Sequence, residues 1–129
     1  EMGAHTANAG KIYFAAGTPD LDDVLPNDTV DLAASVMRGL EEETGLCAHE
    51  IKPGQDWLAV MDQVRVAFMR PVRIDLPAGE ARALMLSRMA LQDEPELSDI
   101  VIIRDAADIL ANASRMPRFM QLYLRHVLG

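Results

Sequence analysis

A helix that has to stop is the strongest constraint in this chain. Leu32, Val36 and Leu40 recur every four residues, the spacing of a single helical stripe. Asp31 stands just before them, where a carboxylate can accept the first free amides and suits the positive end of the helix dipole. Gly45 follows Thr44, at a position where a left-handed stop favours glycine. The spacing therefore predicts a helix over 31–44 with a buried apolar stripe, and Leu46 opens the next buried segment.

A second face of the same helix carries charge. Positions 39, 42 and 43 are three and four residues apart and project to one side. They hold Gly39, Glu42 and Glu43. Adjacent carboxylates repel unless water solvates them or a cation is shared between them. Hard divalent cations take oxygen ligands and usually share their site with substrate phosphates. On spacing alone, a solvated acidic helix end is the plainer explanation.

The stretch Arg38-Gly39-Leu40-Glu41-Glu42-Glu43-Thr44-Gly45-Leu46 resembles the second half of the Nudix box. That half reads Arg-Glu, an aliphatic residue, any residue, Glu-Glu, any residue, Gly and an aliphatic residue. Arg38, Leu40, Glu42, Glu43, Gly45 and Leu46 match it. Upstream, Tyr13-Phe14-Ala15-Ala16-Gly17 is similar to the aromatic-Pro-Gly-Gly approach to the box. The departures are also clear. Gly39 replaces the Glu after the Arg, and Val30 and Val24 stand where the first half of the box has its Glu and Gly. Asp28 and Asp31 lie close to the missing Glu.

The resemblance implies an α/β fold, a Nudix-like α/β/α sandwich with a mixed sheet, over one domain spanning 1–129. It implies Mg²⁺, with Mn²⁺ as the substitute, held by Glu42 and Glu43 as metal ligands. Arg38 would orient the site. A general base from a loop elsewhere is expected, and Glu94 and Glu96 are the candidates because they sit on the acidic loop 93–96. The implied activity is hydrolysis of a diphosphate linkage in a nucleoside diphosphate derivative, weakened by Gly39. The alternative is a non-catalytic Nudix-fold module that binds a nucleotide or a protein, which needs no complete carboxylate set.

Composition sets limits on partners. A net charge of −8 provides no basic surface for a nucleic-acid backbone. It does not exclude a small phosphorylated ligand, because a metal inverts the local charge. No run is apolar and long enough to span a membrane. The single Cys47 allows no internal disulfide. With no signal-peptide pattern at the start, the expected setting is cytoplasmic.

Taken in order, residues 11–15 read as a strand and 17–28 as a loop carrying Asp20, Asp22, Asp23 and Asp28. Strands are expected at 47–51, 57–60 and 64–76, the last interrupted by Pro71 and forming a hairpin with its predecessor. Val64, Val66 and Phe68 share one side of it. A helix over 77–91 follows, then a strand over 99–104 whose Ile100-Val101-Ile102-Ile103 run suits burial on both faces. A short helix starts at Asp105, and Met116-Pro117 opens the last one. The resemblance calls for one or two strands before Lys11, where only about ten residues stand. N-terminal strands are therefore expected to be missing. An open edge at 11–15 would then pair with a second copy as a homodimer.

Overall fold

The cap and the stop predicted for the first helix both form. In a computed structural model that describes residues 1–3, 9–16, 24–27, 29–63 and 65–128, α1 runs Leu32–Thr44. The Asp31 carboxylate accepts the Ala34 amide at 3.0 Å. Gly45 sits at φ 75°, and its N–H donates to the Glu41 carbonyl at 2.8 Å. A single 3₁₀ turn, Ala48–Glu50, leads into four short strands: β1 Ile51–Pro53, β2 Leu58–Asp62, β3 Arg65–Met69 and β4 Val72–Ile74. Then come α2 Ala78–Met89, α3 Ala106–Asn112 and α4 Arg118–Leu128.

The chain is thus mixed α/β, with antiparallel ladders. The segment expected as one strand over 64–76 is two strands, broken at Arg70 and Pro71. Proline supplies no amide to a ladder and is excluded from strand centres. β3 returns along β2, pairing Leu58 with Met69 and Asp62 with Arg65. Gln63 makes the tight turn at φ 52°. β4 crosses to β1, pairing Ile51 with Ile74. Among the described residues these two-stranded ladders stay separate.

Three expected strands do not form as such among the described residues, the first being 47–51, where the 3₁₀ turn Ala48–Glu50 stands and only Ile51 joins a ladder. Residues 99–104 carry no regular structure, and Val101 to Ile103 are half-buried with no strand partner among the described residues. β-branched residues favour extended backbone, but a ladder also needs an edge to bind. Residues 11–16 likewise belong to no ladder among the described residues. The Lys11 carbonyl accepts the Met2 amide at 2.9 Å, and the Ile12 amide donates to the Arg115 carbonyl at 2.8 Å. The start of the edge expected to be open is therefore bonded within the chain. Met2 also bridges Leu97, and the Gly3 amide donates to the Glu96 carbonyl at 2.8 Å. Residues 1–3 lie between 10–12 and 96–98. His5, the acids Asp20, Asp22, Asp23 and Asp28, and Val64 lie outside the described residues.

The core gathers where these segments meet the last helices. Ile12, Ile109, Met116, Met120 and Leu124 are buried together, with Phe14, Val101, Ile103 and Tyr123 packed against them. Asp105 caps α3 by accepting the Asp108 amide at 3.0 Å. Arg118 of α4 reaches Asp62 of β2 at 3.7 Å, which ties the β2–β3 ladder to this core.

Candidate functional site

The site is built on the C-terminal turn of α1. The last four carbonyls of a helix lack intrahelical partners, and two of them find donors here: Glu41 O accepts the Gly45 amide and Glu42 O accepts the Gln92 side-chain amide at 2.9 Å, while the Thr44 hydroxyl adds a bond to Leu40 O at 2.6 Å. Arg88 of α2 donates to the Gly45 carbonyl at 2.9 Å and grips the Glu50 carboxylate with both terminal nitrogens. That grip, with the Cys47 amide, lowers the Glu50 pKa to about 2. A Cβ on Gly45 would stand 2.6 Å from Arg88 Cβ, so glycine is needed for space as well as for its backbone angle. The exit of α1 is thereby fixed against α2.

Glu43 is the residue this arrangement positions. Its Oε2 accepts the Ala16 amide at 3.0 Å, from the segment 11–16. Its pKa rises to about 7. Burial is the largest cause, and the charge and hydrogen bond of Glu96 and the charge of Glu42 add to it, against the pull of the Ala16 amide. Two carboxyl groups that share a hydrogen bond favour holding a proton between them. Glu96 is brought there by the loop after α2, held at its backbone by Gly3.

The other expected residues divide. Glu42 is exposed and lies 4.0 Å from Arg38 across one helical turn. Glu94 is exposed, and among the described residues it is not one of the groups acting on Glu43. Gly39, expected on an outward face with Glu42 and Glu43, is buried together with Ser35 and Thr44. The face of α1 thus passes from buried at Gly39 through half-buried at Glu43 to exposed at Glu42.

Mg²⁺ needs only one or two protein carboxylates, because water and phosphate complete its shell. Glu43 and Glu96 meet that need, since two carboxyl groups already converge with no proton-independent charge balance of their own. Among the described residues no group of three or more His, Cys, Asp or Glu side chains is arranged to hold a metal ion.

Beside Glu43 an open cavity of about 650 Å³ begins at Ala16. Leu32, Val36 and Leu40 line it, so the stripe expected to be buried faces this space, with Leu32 41% exposed. The Arg70 guanidinium lies 5.5 Å from the centre of the Trp57 ring at its wall.

Sequence reasoning missed Arg88, Gln92 and the Ala16 amide. No local pattern points to them, because each acts across a long stretch of chain. Comparison with models of known protein families, with characterised proteins and with solved structures finds no match in any of the three.

Proposed function

We propose that the chain is a divergent Nudix-type hydrolase acting on a diphosphate linkage in a nucleoside diphosphate derivative with Mg²⁺. The observation that carries this reading is the meeting of Glu43 and Glu96 at the glycine-stopped end of α1. The finer fold, a Nudix-like sandwich with a mixed sheet, belongs to the same proposal. What supports it is limited to helices beside short antiparallel ladders, with residues 1–3 hydrogen-bonded to Gly10 and Lys11 on one side and to Glu96 and Ser98 on the other. Among the described residues no helix is long and apolar enough to cross a membrane. The homodimer expected from an open edge at 11–15 loses its argument, because Lys11 and Ile12 are bonded within the chain.

Glu43 and Glu96 would hold the cation, with Glu42 beside them. When bound, the metal supplies charge neutralisation to the diphosphate. The chain's own residues do the rest. Without the cation Glu43 holds its proton up to about pH 7, so cation binding there would release that proton and tighten as the pH rises. The Ala16 amide fixes the Glu43 carboxylate in one orientation. Arg38 holds Glu42 along the helix.

A second reading is favoured by one observation. Gly39 is buried and brings no third carboxylate, as suits a module that binds a nucleotide or a protein without cleaving it. The two readings separate in a turnover screen of nucleoside diphosphate sugars, dinucleoside polyphosphates and nucleoside triphosphates, with Mg²⁺ or Mn²⁺. Hydrolysis that is lost in Glu43→Gln and kept in Glu41→Gln supports the hydrolase. Turnover on no substrate, or equal loss in both variants, removes it and leaves the binding module.

A further inference from the structure

The chain has six aromatic residues, one Trp, two Tyr and three Phe. All six line one cavity: Tyr13, Phe14, Trp57, Phe68, Phe119 and Tyr123. They come from the segment 11–16, the approach to β2, β3 and α4, so nothing in their sequence spacing requires them to meet. At about 650 Å³ the cavity has the size of a small-molecule site. Tyr13, Phe14, Phe119 and Tyr123 back onto the core, while Phe68 is 60% exposed and Trp57 36%. Exposed aromatic surface of this kind is costly to leave in water and is suited to receive a ligand.

We propose that this cavity binds an uncharged planar aromatic group, recognised through ring contacts. Aromatic pairs gain from offset and edge-to-face geometry beyond the area they bury, and Phe14 and Tyr123 already meet edge to face at 5.6 Å and 81°. Few polar groups are present to read the edge of a ring. The polar side-chain groups of the lining are the Tyr13 and Tyr123 hydroxyls, the Trp57 indole N–H and Arg70, and Arg70 Nε already donates to the Gly54 carbonyl at 2.7 Å. A cationic ligand is disfavoured, because the Arg70 guanidinium occupies the face of Trp57 that it would seek. The cavity assignment stands on these residues alone. Its connection to a diphosphate, through Ala16, rests on the hydrolase reading.

The test uses the full chain and indole as the probe, with 1-octanol and phenyltrimethylammonium as the aliphatic and cationic comparators. Chemical shifts of the lining residues are followed by NMR. Indole is expected to shift Phe14, Trp57 and Tyr123 resonances saturably, at least tenfold more tightly than either comparator. Tyr123→Leu and Phe68→Leu should each weaken indole binding several-fold, with the amide spectrum elsewhere showing that the fold is kept. Absence of saturable shifts with indole, or octanol binding as tightly as indole, overturns the proposal. So does a preference for phenyltrimethylammonium. Saturable indole binding by a chain that hydrolyses no diphosphate supports the cavity assignment and counts only against the hydrolase.

Discussion

Replacing Gly45 with alanine separates two costs that the structure places on one atom. The first is conformational. Gly45 sits at φ 75°, and a side chain in the left-handed region costs roughly 1–2 kcal/mol. The second is steric. The new Cβ would lie 2.6 Å from Arg88 Cβ, an atom fixed to the α2 backbone, so α1 and α2 must move apart. Overpacking of this kind costs about 1–3 kcal/mol. Together they predict a loss of roughly 2–5 kcal/mol for Gly45→Ala, read by urea denaturation followed by circular dichroism. The steric part has a specific signature. Arg88→Ala keeps the Cβ, so the cost of Gly45→Ala should persist in that background, whereas Arg88→Gly should remove most of the clash and leave the conformational cost. If Arg88→Ala alone abolished the penalty, the contact would be with the flexible end of the side chain and the close approach of the two helices would be refuted.

Three further outcomes follow from the same helix. Ser35 is buried and its hydroxyl has no hydrogen-bond partner among the described residues, so Ser35→Ala should raise stability by about 1 kcal/mol in the same denaturation assay; a loss of that size would mean the hydroxyl has a partner. Gly39→Glu places a carboxylate one turn before Glu43 in a buried position, so the metal-free melting temperature should fall and Mg²⁺ should restore part of it, in scanning calorimetry with and without the cation; an unchanged metal-free melting temperature would contradict the burial. Glu43 holds its proton to about pH 7 in the folded chain but only to about 4.5 when unfolded, so folding loses stability as pH rises from 4.5 through 7. Glu43→Gln should remove that loss and gain on the parent between pH 5 and 8 by on the order of 1 kcal/mol, after allowance for solvent screening; parallel stability curves would show that Glu43 titrates normally.

The helix was the most legible part of the sequence because its signals are local. Asp31, the four-residue apolar repeat and Gly45 each act within a turn or two, and the cap and stop form as they imply. What the repeat did not disclose is what it faces. Leu32, Val36 and Leu40 look the same in sequence whether they meet a core or a cavity. Ile100 to Ile103 read as a strand because β-branched residues favour extended backbone, yet pairing depends on a neighbour that composition does not supply. Within the site, Glu43 and Glu96 were both candidates from sequence. The choice of Glu96 over Glu94 depends on the loop after α2 and on the Gly3 amide, which are long-range features. Arg88 was beyond reach for the same reason, since its partners Gly45 and Glu50 precede it by about forty residues in the chain.

The central claim is that Glu43 and Glu96 form one proton-sharing, cation-binding carboxyl pair. Its most direct test is a ¹³C NMR titration of the Glu43 side-chain carboxyl, with and without Mg²⁺. The account predicts a midpoint at about 7 without the cation. It predicts a lower midpoint in Glu96→Gln that still stays above the ordinary carboxylate range, because burial is the larger cause, and a lower midpoint again when Mg²⁺ is added to the parent. A midpoint near 4.5 that responds neither to Glu96→Gln nor to Mg²⁺ would contradict it.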